Sequence, residues 1–216
     1  MRSIQQNVKV LVEGYTEMYY ISGLKNNTTT QLNIEPPVNM DGGGYKNFIK
    51  EIKKLDYRGC VAIFIVIDLD KYHEDNDNLK KLISLCKSKT KSTKIPYFLI
   101  GTNLNFEYFS CCHCEKYNNS DTKSYIIKNF NYKSVKEYKS DSKIYSKLNK
   151  SQLSYNNALQ KLNKNYTSGN TFFKNDYSIS KQGANIIISI NNLIINEDSI
   201  SQKHSNIIEF FKIIGL

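Results

Sequence analysis

Apolar residues gather along this chain in short unbroken blocks, and the longest of them ends abruptly in charge: Val61-Ala62-Ile63-Phe64-Ile65-Val66-Ile67 runs without alternation into Asp68-Leu69-Asp70. A continuous β-branched and aromatic run of this length predicts a strand covered on both faces, as in a parallel sheet flanked by helices. Val8 to Val12 predicts a second strand, stopping at Glu13-Gly14 before Thr16, as N-cap, opens a helical pattern through Met18, Tyr19, Ile21 and Leu24. Asn33 to Val38, interrupted by Pro36-Pro37, predicts an edge strand or a strand end. Asp41-Gly42-Gly43-Gly44 reads as a flexible connector, and Tyr45 to Leu55 as a helix with Phe48, Ile49, Ile52 and Leu55 inward. After Asp70 the pattern predicts a helix capped by Asp75 or Asp77 and running to about Ser88, with Leu79, Leu82, Ile83 and Cys86 inward. Ile95 to Ile100 predicts a strand with Gly101-Thr102-Asn103 as its exit, and Asn105 to Phe109 begins another helix. From Asp121 to Leu153 apolar clusters are few, which predicts a peripheral insertion. Leu148 to Leu162 and Asn185 to Ile195 carry helical spacing, and residues 207–214 predict a terminal helix that docks on the core. The whole is an α/β pattern: a parallel sheet flanked by helices over residues 1–115, with a mainly helical extension over 116–216 packed on it.

The charged ends of these blocks carry the candidate chemistry. Side chains alternate faces along an extended chain, so Asp68 and Asp70 lie on one side, just past the last apolar residue. In open α/β sheets the functional crevice lies outside the carboxyl ends of the strands. Glu13 also follows a strand, Glu17 falls in the first turn of the next helix, and Glu107 appears just past a third strand. Brought to one rim, such carboxylates are a candidate divalent-cation site; the alternative is a solvated turn after a buried strand, with Glu17 serving only its helix. The acidic loop after Asp70 is not an EF-hand, since His73 stands where glycine is needed and Leu79 where the final glutamate belongs. The glycine loop at 42–44 lacks the Lys-Ser/Thr of a phosphate-binding loop. Cys111-Cys112-His113-Cys114 sits on a helical stretch where neighbours diverge by about 100°, which suits buried thiols better than zinc.

Composition adds a partner and a compartment. Across 216 residues the formal net charge is +10, which permits an anionic partner, nucleic acid above all, although a composition rich in Asn, Lys, Ile and Tyr supplies many of the lysines. Lys87 to Lys94 reads as a basic connector, either solvated or tracking a phosphate backbone. Tyrosines interleaved with lysines between Tyr117 and Tyr177 suit base stacking and equally an ordinary amphipathic surface. The five cysteines are an odd number, the start is not of signal-peptide type, and no apolar run approaches the roughly 20 residues of a membrane span. A reduced, soluble, cytoplasmic protein is the expectation.

The sequence strand, Glu13-Gly14-Tyr15-Thr16-Glu17, second buried strand, Asp68-Leu69-Asp70 resembles the Toprim domain, a Rossmann-like module shared by topoisomerases, bacterial primases and OLD-type nucleases. Asn105-Phe106-Glu107-Tyr108-Phe109-Ser110-Cys111-Cys112-His113 resembles in register the asparagine, proline, aromatic, glutamate, aromatic and histidine segment of RloB-like proteins, which are stand-alone Toprim proteins associated with restriction and phage-defence loci; the usual Asn-Pro step is replaced around Leu104-Asn105. The resemblance implies a metal-dependent nuclease that hydrolyses phosphodiester bonds in RNA, transfer RNA included, or in DNA. It makes Glu13 a ligand or general acid-base group, Asp68 and Asp70 ligands of Mg2+ or Mn2+, and Glu17 or Glu107 helpers at a second ion, with His113 carried over beside Glu107; such chemistry needs a cation near the scissile phosphate, for which Lys71 is the nearest lysine in sequence. It leaves open a partner ATPase of a defence system, a homodimer, and the contrary reading of a catalytically silent binding subunit.

Overall fold

The computed structural model describes residues 6–150 and 153–216. Its central strand is the block that ends in charge. Alternate side chains of that strand enter two separate cores, Phe64 and Val66 on one face and Ile63, Ile65 and Ile67 on the other, so none of these five faces water and the sequence shows no alternation. In chain order, β1 (Asn7–Val12) leads into helix α1 (Tyr15–Asn27), followed by two short strands, β2 (Asn33–Ile34) and β3 (Val38–Asn39). Helix α2 (Gly44–Lys54), the central strand β4 (Cys60–Asp68), helix α3 (Asn76–Thr93), β5 (Tyr97–Asn103) and helix α4 (Phe106–Cys112) complete the first part. β1 and β5 lie parallel to β4 on its two sides, so all three release their carboxyl ends at one edge of the sheet. α1 and α4 cover one face, α2 and α3 the other.

Several expectations are corrected by the contacts. Thr16 is not the cap of α1: Gly14 holds the N-cap position and Thr16 is buried within the first turn. The strand expected at Asn33 to Val38 is split in two, both halves parallel to β1, because the paired prolines between them offer no N–H to a ladder. α3 does not end near Ser88 but continues to Thr93, so most of the expected basic connector is helix. Gly101-Thr102-Asn103 is not an exit but the carboxyl half of β5, where a side chain on Gly101 would meet Phe173 and Leu69 at 2.9 and 3.0 Å.

The second half of the chain is built into the same cores. Helices α5 (Thr122–Asn129), α6 (Val135–Lys139) and α7 (Ile144–Leu148) bury Ile126, Tyr138, Ile144 and Leu148. Since each fully buried large apolar side chain contributes about 1.5–3 kcal/mol, this stretch belongs to the core and is no peripheral insertion. Tyr117, Tyr132, Tyr138 and Tyr145 are buried too, which removes them from any base-stacking surface. α8 (Tyr155–Thr167) begins later than Leu148, which instead closes α7; Ser151 and Gln152 of the expected helix lie outside the described residues, as do residues 1–5 at the start of the chain.

Asn185 to Ile195 is a strand. It forms β7 (Asn185–Ile195) of an antiparallel hairpin with β6 (Phe173–Gln182). The isoleucines satisfy helical and extended spacing alike, and β-branching together with the two-residue turn Gly183-Ala184, with Gly183 at φ +61°, decides for the hairpin. The chain then returns as β8 (His204–Ser205), antiparallel on the outer edge of β5, and ends in α9 (Ile208–Ile214), whose Phe210 packs edge-on against Phe64. No helix among the described residues is long and apolar enough to cross a membrane.

Candidate active site

At the carboxyl edge of the parallel strands lies an open cleft of about 400 Å³. Glu13, Glu17, Asp68, Asp70, Glu107 and Lys71 all line it. Four elements and the turns after them deliver these groups: Glu13 follows β1, Glu17 lies in the first turn of α1, Asp68 ends β4 with Asp70 in the turn beyond, and Glu107 opens α4. The carboxylates are stitched to the backbone of their neighbours. The Asp68 amide donates to Glu13 Oε2 at 3.1 Å, and the Phe106 amide at the start of α4 donates to Asp68 Oδ1 at 2.9 Å. Tyr45 Oη donates to the Asp68 carbonyl at 3.1 Å, which fixes the end of β4 from the α2 side. Gly14 is extended, a conformation any residue adopts; a Cβ there would stand 3.3 Å from Glu17 Oε2, so a side chain at this position would press the Glu17 carboxylate aside by a few tenths of an ångström.

Negative charge exceeds positive charge in this cleft. Burial pushes the Glu17 carboxyl up to about 7, with the Glu107 and Glu13 carboxylates adding to the shift. Burial likewise raises Asp68 well above the usual carboxylate range, helped by Glu17, Glu13 and Glu107. Glu13 and Asp70 are raised by burial and held back by hydrogen bonding and by the nearby Lys71 ammonium. Lys71 Nζ is 3.8 Å from Glu13 Oε1, a loose pair with the lysine side chain 44% exposed.

Two contributors went unread in the sequence. Lys139, the last residue of α6, reaches into the cleft and pairs with Glu107 at 2.9 Å. Burial works against its charge, but Glu107, Asp68 and Glu17 hold the ammonium above its ordinary value. Asp41, in the loop expected to be a plain connector, adds a sixth carboxylate to the lining and pushes the neighbouring Tyr15 phenol up. No motif joins Lys139 to the acids; only the packing of α6 beside α4 brings it there.

His113 is not at this site. It lies six residues beyond Glu107, about 9 Å along α4, and is fully buried. Its Nδ1 donates to the Phe109 carbonyl at 3.1 Å, which leaves Nε2 to accept from Tyr20 Oη at 2.8 Å. Burial lowers its pKa to about 4, so it is a neutral core residue tying α4 to α1. Cys111 and Cys112 are buried thiols. Among the described residues no group of three or more His, Cys, Asp or Glu side chains is already arranged so that it could hold a metal ion.

Fold and site together define a class: a Rossmann-like α/β protein with a mostly parallel sheet and an acid-lined cleft at the carboxyl ends of its strands. Within that class the chain belongs to the RloB-like protein family, whose sequence model matches residues 8–193, from β1 through most of β7. No curated protein and no solved structure gives a match.

Proposed function

We propose that this RloB-like protein is a divalent-metal-dependent nuclease of Toprim type that hydrolyses phosphodiester bonds in RNA, transfer RNA included, or in DNA. The observation that carries the reading is the convergence of carboxylates from β1, α1, β4 and α4 on one open cleft at the sheet's carboxyl edge, with lysines on its margin. Donor type fits the group: hard carboxylate oxygens suit Mg2+ or Mn2+, and burial, with repulsion among the acids, raises the proton affinities of Glu13, Glu17, Asp68 and Asp70, which a bound cation would offset. Asp68, Asp70 and Glu13 would hold the ion, with Glu17 and Glu107 available to a second. A bound divalent ion supplies Lewis-acid activation of water and stabilises charge on the leaving oxygen. Glu13 and Glu17 can take up or return the proton of the attacking water, and Lys71 and Lys139 can meet the phosphate oxygens. We infer that it acts as an effector of phage defence, the setting that the family resemblance implies, and in the cytoplasm, as its free cysteines suggest.

One observation favours a second reading, a catalytically silent binding subunit. Lys139 and Lys71 already pair with Glu107 and Glu13, so the cleft is partly neutralised from within. The test is cleavage of total RNA and of plasmid DNA by the purified protein with Mg2+ or Mn2+, beside Glu13→Ala, Asp68→Ala and Asp70→Ala. Cleavage of one substrate, reduced about a thousandfold by each change, is expected, since several kcal/mol of charge stabilisation are removed. No cleavage together with no Mn2+ binding would leave the binding subunit.

A further inference from the structure

A second groove lies at the opposite edge of the sheet, where α3 returns the chain to the start of β5. It consists of two cavities of about 310 and 240 Å³ that share Thr90, Lys91 and Ile190. One wall is the carboxyl half of α3, and the other is β7 with Ile188, Ile190 and Leu193. Lys87 and Lys91, four residues apart on α3, share one face of the helix, and Lys94, its left-handed C-cap, lines the same groove just past the helix end. No Asp or Glu lines either cavity, and among the described residues none of these lysines forms an ion pair. The helix dipole accounts for Lys91 in the last turn and Lys94 at the C-cap, but not for Lys87. Among the described residues the hydroxyl of Tyr97 and Oδ1 of Asn175 are buried without a hydrogen-bond partner, and both residues line the groove.

We propose that this groove binds the phosphodiester backbone of a nucleic acid, with phosphates along these lysines and sugars and bases against the Ile188, Ile190 and Leu193 wall. α3, at 18 residues, spans about 27 Å between the two edges of the sheet. A ligand that reaches both the groove and the acid cleft is therefore a polynucleotide, not a mononucleotide. The inference deepens the nuclease reading by naming the surface that holds its substrate, and it is tested by binding, not by cleavage.

The test uses the full chain in EDTA, with anisotropy of a labelled single-stranded RNA and a DNA of the same sequence titrated across a KCl series. Combined Lys87→Gln, Lys91→Gln and Lys94→Gln should lower the slope of log affinity against log salt by about 2, at roughly 0.7–0.9 per lost phosphate contact. Combined Lys50→Gln, Lys53→Gln and Lys54→Gln on α2 removes equal charge elsewhere and should leave the slope in place. Unchanged binding by the groove variant with an unchanged melting temperature would overturn the proposal, as would an equal loss in the α2 control. A protein that cuts nothing yet binds through the groove lysines would refute the nuclease reading alone, whereas cleavage with no dependence on them would refute this inference alone.

Discussion

The fold buries carboxylates in two places and treats them in opposite ways. Glu209, at the start of α9, is fully buried beside β5, and burial pushes it up to about 7, as it does Glu17. Yet Glu209 is saturated with donors: the Asn175 amide at 2.9 Å, Asn206 Nδ2 at 3.2 Å, the Asn175 side-chain amide and the Tyr166 hydroxyl. Asn175 and Asn206 also donate to the Leu99 carbonyl at 3.0 Å each, so one carboxylate joins β5, the hairpin and α9. Around Glu17 and Asp68 the neighbours are, apart from backbone amides such as that of Phe106, other carboxylates and two half-exposed lysines. Equal burial therefore has two meanings. A carboxylate supplied with donors is a rivet, and a group of them left short of positive charge is a place for an external cation.

The comparison breaks first at Glu209. Glu209→Gln places an amide nitrogen against donors and should lower stability by about 2–3 kcal/mol in chemical denaturation, with Mn2+ binding by the folded protein retained. A variant as stable as the parent would remove the rivet. Glu17→Gln should act in the other direction. A carboxyl whose proton affinity rises on folding contributes fully below the ordinary 4.5 and loses that contribution as pH climbs to about 7. Metal-free protein should thus lose stability across that window, and Glu17→Gln should flatten the fall, gaining about 1–2 kcal/mol at pH 8. Thermal melts across pH in EDTA measure this, and a profile unmoved by the substitution would show that Glu17 carries no such burden. The smallest effect is expected at Lys139, whose side chain is 55% exposed and whose pairing is screened accordingly. Lys139→Gln should tighten Mn2+ binding about twofold to fivefold by calorimetry while slowing cleavage, because Glu107 is freed and a phosphate contact is lost. Weaker Mn2+ binding would mean that Lys139 orders the acids and does not compete with the ion.

Much of the fold could be read from local pattern. The unbroken run at 61–67 fixed a strand covered on both faces, and the acids at the ends of the strand runs placed Glu13, Asp68 and Glu107 at one edge once those strands lay parallel. Reading failed where two conformations share one pattern or where a partner lay far along the chain. Asn185 to Ile195 fits helix and strand equally by spacing, and the Gly183-Ala184 turn was the available signal. His113 looked like a site residue because it closes a motif, but the rotation and rise of α4 send it into the core beside Tyr20.

What the sequence determined by itself is the set of local preferences: β-branched runs that must be covered, a pair of prolines that breaks an edge strand, and carboxylates stationed where strands stop. What only the tertiary structure decided is which distant groups meet them. Lys139 reaches Glu107 from 32 positions further along, and Asn175 and Asn206 satisfy Glu209 across β5. The physical reason is that a strand or helix is chosen by its neighbours in sequence, whereas the neutralisation of a buried charge depends on which elements the packing of the two cores presses together.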